Sequence, residues 1–315
     1  MKKTIIVSGS LAYDRIMDFP GYFREHILPD KIHTLNVAFQ VNGVREKFGG
    51  TAGNIAYALT LMGEKPLISA TIGRDYHPYF EWFEKNAIPV DRIKVIDNEL
   101  TASAYITTDL SDNQITGFNP GAMRYSSELD FDALDPDETI LIVSPGNLED
   151  MVNYPRACKA RGIEYIFDPG QSLPMLKAGD VAEAIEGSRI LISNDYELDL
   201  IMSKTGLDRK ALLGRTGAII TTLGDLGSRI FTAGGEVGIP TGRARQVLDP
   251  TGAGDSYRGG LLTGLVQGKG LEHCARMGSV CASFAVECYG TQEYTFCLEE
   301  FNERLEGCFL KGGTP

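Results

Sequence analysis

Residues 249–260 read "DPTGAGDSYRGG" and run straight into the apolar stretch "LLTGLV". Gly252, Ala253 and Gly254 stand between Asp249 and Asp255, at the head of a helix that the apolar spacing predicts over 254–268. Such a loop can be a turn and nothing more, with Asp255 as a helix cap. It can also bring backbone N–H groups up to an anion. The first four N–H groups of a helix have no partner within it, and the helix dipole adds about half a positive charge there. What lies at the other strand and loop ends decides between the two.

Working outward, short β-rich apolar runs alternate with helical patterns. The strand candidates are "TIIVSG" (4–9), "PLISATIG" (66–73), "TILIVS" (139–144), "EYIFDPG" (164–170), "RILISND" (189–195), "AIITTLG" (218–224) and "SRIFTA" (228–233). Helical stretches lie between them, such as "AGNIAYALTLMG" (52–63) and "YELDLIMSKTG" (196–206), and another follows over 271–287. Continuous apolar strands separated by helices predict a mostly parallel sheet covered on both faces, an α/β architecture. "FTAGGEVGIP" (231–240) reads as a hairpin at the far end of that sheet.

Two segments break the rhythm. In "LNVAFQVNG" (35–43) the residues Leu35, Val37, Phe39 and Val41 alternate with polar or small ones, and "SAYITTDLSDNQITGF" (103–118) has the same period of two. Alternation predicts strands with one open face. The chain therefore divides into a large α/β domain (1–14, 49–98 and 119–315) and a small β lid domain (15–48 and 99–118). A sheet that small is marginal in water, so its apolar face is expected to pair with a second copy, giving a homodimer.

The chain has 315 residues, 43% of them hydrophobic, enough for one large domain with an accessory element. A net charge of −12 argues against nucleic acid, which needs a basic face. No apolar run reaches the ~18 residues of a membrane span. The first apolar run breaks at Ser8 before a leader core forms, so a cytoplasmic protein is expected. The six cysteines include no C-x-x-C pair and the four histidines do not cluster, so neither a disulfide framework nor a Cys/His metal site is expected.

Better-known phosphate loops are absent. "GLVQGKG" has the wrong spacing for G-x-x-x-x-G-K-[ST], and the first strand lacks G-x-G-x-x-G. What remains is a set of polar and glycine signals at element junctions. Thr222, Gly224 and Gly227 lie in "TTLGDLG" (221–227). Asn194 and Glu197, one helical turn apart, lie in "SNDYE" (193–197). Gly49, Gly50 and Asn54 lie in "FGGTAGN" (48–54), and Asp14 is read as closing the first strand. Open α/β sheets bind ligands at the carboxyl ends of their strands, so these signals are expected on one edge.

"GGTAGN" (49–54) and "DPTGAGD" (249–255) resemble the two signature motifs of the ribokinase family of carbohydrate kinases, also called PfkB-type kinases. The "NDYE" and "TTLGDLG" segments are similar to that family's phosphate/Mg²⁺ and ATP motifs, in the right order, and the likeness runs over essentially the whole chain. Within the family it is greatest to bacterial adenosine kinases of the actinobacterial type, through "SGSLAYD", "FPGYF", "LPDKIH", "NPGAM", "SNDYE" and "GTQEY". The resemblance implies a ribokinase-like, doubly wound fold with a small β-sheet lid. It implies ATP and Mg²⁺ as cofactors, and leaves a monovalent cation such as K⁺ open. It implies phosphorylation of a nucleoside 5′-hydroxyl, adenosine to AMP. A ribose- or fructose-type sugar kinase and a silent nucleotide sensor are the alternatives.

Residue by residue, the resemblance makes Asp255 the catalytic base and Gly252, Ala253 and Gly254 the anion hole. Asn194 and Glu197 hold Mg²⁺, through water, and Thr222, Gly224 and Gly227 line the ATP site. Ser10, Asp14, Gly49, Gly50 and Asn54 bind the substrate, with Phe39 and Phe118 on the lid reaching the base. Two positions depart from the family pattern. Pro250 stands where Thr is usual, and Ala104 stands where an aromatic residue is expected. An Asp at a helix N-terminus is expected to have a depressed pKa.

Overall fold

A computed structural model describes residues 3–27, 36–111 and 113–309. In chain order the elements begin with β1 (Thr4–Ser8), β2 (Ala12–Asp18), α1 (Phe23–His26), β3 (Val44–Gly49), α2 (Thr51–Leu61), β4 (Leu67–Gly73), α3 (His77–Lys85), β5 (Ile93–Ile96), β6 (Ala102–Thr108) and β7 (Gln114–Asn119). They continue with β8 (Thr139–Val143), α4 (Leu148–Arg161), β9 (Glu164–Phe167), α5 (Ala178–Ile185), β10 (Ile190–Asn194), α6 (Asp195–Thr205) and α7 (Arg209–Leu213). The last are β11 (Ile219–Thr222), β12 (Ser228–Thr232), β13 (Gly235–Ile239), α8 (Ala253–Val266), α9 (Leu271–Ala285) and α10 (Leu298–Phe309).

The large sheet has nine strands in the order β13-β12-β11-β10-β9-β8-β1-β4-β5. Pairing is parallel from β11 through to β5, and β12 and β13 add an antiparallel hairpin at one edge. The period of two within these apolar strands builds two cores. Ile5, Val7, Ile140, Ile142, Ile192 and Ile220 pack with α2, α8 and α9. Ile6, Leu141, Val143, Leu191 and Ile219 face the other way, onto α4 to α7. Each fully buried side chain of this kind contributes roughly 1.5–3 kcal/mol. Helices α8 and α9 approach closely through small residues: a Cβ on Gly260 would lie 2.6 Å from the Met277 carbonyl oxygen. That packing holds the N-terminus of α8 firmly at the sheet edge.

The small sheet has the order β3-β2-β6-β7, with β2 parallel to β6 and antiparallel to β3. It corrects two expectations. Asp14 does not close β1; it lies inside β2, in the small sheet. "LNVAFQVNG" is not a strand. Leu35 lies outside the described residues, and 36–43 run without ladder pairing up to β3, the charged "VREKFG". The alternation there reports one-sided packing: Val37, Phe39 and Val41 are half-buried between exposed neighbours, and the Phe39 ring lies 4.8 and 5.1 Å from those of Phe19 and Phe23. Apolar periodicity marks a buried face, whether or not a partner strand is present. Strand β5, four residues long, is too short to show a period in the sequence.

Candidate active site

A cavity of about 480 Å³ lies along the carboxyl ends of β9, β10 and β11, against the N-terminus of α8. Asn194, Glu197, Thr222 and Gly224 line it from the strand ends, and Gly252, Gly254 and Asp255 line it from the helix. Gly252 takes φ +78°, the left-handed conformation that starts α8, and a Cβ there would meet Thr291 at 2.9 Å. The Ala253 N–H turns back to the Pro250 carbonyl at 3.2 Å, so of the three anion-hole residues this donor is already engaged. Gly227 lies outside the cavity lining. With φ +89° it closes the β11–β12 turn, donating its N–H to the Gly224 carbonyl at 3.2 Å.

Asn194 and Glu197 form a reciprocal helix cap. The Glu197 N–H donates to Asn194 Oδ1 at 2.7 Å, and the Asn194 N–H donates to Glu197 Oε2 at 2.8 Å. The cap fixes both side chains and leaves Glu197 Oε1 unshared among the described residues. Burial raises the Glu197 pKa, with Asp168 adding to it. A half-buried carboxylate oxygen beside this cavity fits a Mg²⁺ held chiefly by phosphates and water. Among the described residues no three His, Cys, Asp or Glu side chains are grouped to hold a metal by themselves.

Asp255 sits in the first turn of α8, enclosed by protein except where it meets the cavity. Burial pushes its pKa up to about 6, outweighing the Asn54 hydrogen bond and the Arg258 charge that lower it. The expectation of a depressed pKa is thereby corrected: desolvation of the carboxylate exceeds the pull of the helix terminus. Asn54 Nδ2 donates to Asp255 Oδ2 at 2.7 Å across 201 residues of sequence.

On the far side of Asp255 lies one face of the small sheet. Lys47 pairs with Asp14, Asp14 with Ala104, and Ala104 with Phe118, so all four share a face. Phe118 is 53% exposed, an aromatic surface left open among the described residues. The Asp14 carboxylate leans over the end of β3, where a Cβ on Gly49 would come within 2.6 Å of its Oδ2. Burial, then Asp249, raises the Asp14 pKa. Gly50 caps α2 with φ +91°, and any side chain there would strike the Ser10 carbonyl oxygen at 2.6 Å. Ser10 is buried, and its Oγ accepts the Thr51 N–H at 3.1 Å, so it secures the start of α2. Phe39 is packed with Phe19, Phe23 and His26 and is not in register with Asp14.

Sequence reasoning passed over Arg258 and Asp168. The Arg258 guanidinium is gripped in a bidentate manner by Asp168, with Nη2 to Oδ1 at 2.8 Å, and Nη1 donates to the Gly254 carbonyl at 2.9 Å. Both residues line the cavity, and both are at least nine-tenths buried. Burial opposes the Arg258 charge, but Asp168 more than offsets it, so the cation is permanent. An arginine inside "GAGDSYRGG" was visible, but its partner is 90 residues away.

The sequence pattern of the pfkB family carbohydrate kinases matches residues 11–296. The chain belongs to that family. A nucleoside kinase of Methanocaldococcus jannaschii is 34% identical over 280 residues, covering 88% of this chain and 91% of its own. The structure of Burkholderia thailandensis nucleoside kinase in complex with inosine superposes with a TM-score of 0.86 at 37% identity, covering 97% of this chain and 98% of that one. The same enzyme in complex with ADP-inosine gives 0.83 at 38% identity. The ribokinase-like fold, a mostly parallel sheet flanked by helices with a smaller sheet beside it, is therefore that of the pfkB-family kinases. No helix among the described residues is long and apolar enough to cross a membrane.

Proposed function

We propose that this chain transfers the γ-phosphoryl group of ATP to the 5′-hydroxyl of a purine nucleoside, with adenosine the first acceptor to test. One observation carries the reading. Asp255 stands where the cavity at the N-terminus of α8 meets the face carrying Asp14 and Phe118. The relatives that are nucleoside kinases, one of them seen with inosine, support a nucleoside as acceptor. Ala104 beside Phe118 leaves one aromatic ring in that register, which suits a single stacked base.

In this reading Asp255 accepts the proton of the attacking hydroxyl. With a pKa of about 6 it is mostly ionised at neutral pH yet basic enough to take the proton late in a loose transition state. The free amides of the α8 terminus receive the charge of the transferring group, and Arg258 adds a fixed cation beside them. Mg²⁺, when bound near Glu197 and Asn194, neutralises phosphate charge. The small sheet acts as a lid that keeps water from the phosphoryl group. The test is ADP release over a panel of nucleosides and sugars. Turnover with adenosine or inosine well above that with ribose or fructose is expected. Preference for a free sugar overturns the acceptor assignment, and no turnover with any acceptor leaves a nucleotide sensor.

Asp14 is assigned to the ribose diol, where a charged acceptor makes each hydrogen bond worth about 1.5–3 kcal/mol. Asp14→Ala is expected to lower kcat/KM for nucleoside about 10²-fold or more, with the KM for ATP little changed. Wild-type enzyme should discriminate against 2′-deoxy and 3′-deoxy nucleosides. Equal use of ribo- and deoxyribonucleosides removes the assignment.

The opposite face of the small sheet supports a homodimer. Val44, Met17, Thr107 and Ile115 follow one another in register across the four strands, with Val44 60% and Ile115 43% exposed. Pairing that strip with a second copy would cover it. Val44→Lys with Ile115→Lys should then sediment as a monomer. An unchanged dimer mass, or a monomeric wild type, rules the pairing out.

A further inference from the structure

We infer that Gln292 is a positioning residue for the base: it fixes, through the Asn54 amide, the hydrogen bond that Asp255 receives. This rests on the reading of Asp255 as the base. Gln292 lies in "GTQEY", a segment to which the reaction above gives no role, and it is 2% exposed.

The argument is one of direction. An indole N–H can only donate. Trp82 Nε1 donates to Gln292 Oε1 at 2.9 Å, which decides which end of the Gln292 amide is oxygen. Gln292 Nε2 must then spend its two hydrogens elsewhere. One goes to Asn54 Oδ1 at 3.0 Å and the other to the Tyr79 hydroxyl at 2.8 Å. With its oxygen committed to Gln292, Asn54 presents Nδ2 to Asp255 at 2.7 Å. A reversed Asn54 would set two oxygens against each other in a buried place. Tyr79 passes its own proton to the Gly49 carbonyl at 2.7 Å, so the same glutamine also braces the glycine turn. A neutral amide, fully bonded, thus transmits an orientation from a tryptophan to a carboxylate.

The charged and titratable groups facing Asp255 are Asp14 from the small sheet, Asp168 from the end of β9, Arg258 on α8 itself, and the phenols of Tyr79 and Tyr294. Replacing Gln292 by leucine changes none of these charges. It removes the hydrogen that holds Asn54 Oδ1, together with the bonds that Gln292 shares with Tyr79 and Trp82. A hydrogen bond to the ionised carboxylate lowers its pKa, so loosening that bond must move the pKa up.

Gln292→Leu should therefore shift the acid limb of the kcat/KM profile to higher pH and lower kcat about 10- to 100-fold, since a misplacement of ~1 Å can cost that much. The KM for ATP should stay within about twofold. Trp82 is the single tryptophan of the chain, and its ring stacks on Phe48 at 5.4 Å. Trp82→Phe retains an aromatic ring there, removes the N–H along with part of the indole and leaves Gln292 itself intact, so it should move the limb in the same direction by less. Should Gln292→Leu not fold, Trp82→Phe decides alone. A limb that stays at its wild-type position in a folded variant overturns the inference. Asp255→Asn separates the two levels. If it keeps its turnover, the base assignment itself is wrong; if it is inactive while the limb of Gln292→Leu has not moved, only the relay is wrong.

Discussion

Asp255→Asn is expected to keep the fold and to bind nucleoside and ATP, while kcat falls about 10³-fold or more. A lost general base typically costs ~10²–10⁴. The amide is nearly the same size, so packing survives. Its oxygen can still accept the Asn54 proton at the position where Oδ2 now does. What it cannot do is take a proton. The loss corresponds to about 4 kcal/mol of transition-state stabilisation and should appear in kcat and kcat/KM alike. Thermal melting should be unchanged or improved, because a carboxylate whose pKa burial has raised to about 6 is a destabilising charge at pH 7. The sign follows from linkage: the unfolded state ionises more easily, so the folded state loses stability as pH rises past the unfolded value. Turnover above a tenth of wild type would reduce Asp255 to a structural acceptor for Asn54.

Arg258→Met should be costly in two separable ways. It strands Asp168, 2% exposed, without its partner, and breaking a buried pair from one side typically costs about 3–5 kcal/mol. It also takes the fixed cation from the lining of the cavity, where one preorganised electrostatic donor is worth about 10²–10³ in kcat. Arg258→Met with Asp168→Leu distinguishes the two. Replacing both members by apolar groups should restore much of the melting temperature and none of the activity. Recovery of turnover in the double variant would show that the pair only holds the fold together.

The features that could be read directly are those whose cause is local. A run such as "TILIVS" has to be buried on both faces wherever it goes, and that makes it an inner strand. "PTGAG" followed by an apolar helical pattern has to begin a helix with open amides. The capping pair Asn194 and Glu197 are three residues apart, and both its bonds are set by helix geometry. Sequence alone therefore determined the parallel sheet and its strand-end loops, and the resemblance to the ribokinase family pointed to Asp255. It misplaced the lid strand, because the apolar alternation of 36–43 is satisfied by the rings of Phe19 and Phe23 while charged "VREKFG" carries the pairing. Only the tertiary structure brought Asn54 to Asp255, Gln292 to Asn54 and Asp168 to Arg258, across 201, 238 and 90 residues. It also reversed the expected shift of the Asp255 pKa. The physical reason is common to all of these. Propensity and periodicity act over one or two turns of chain, whereas desolvation and the direction of a hydrogen bond depend on which distant groups close around the atom.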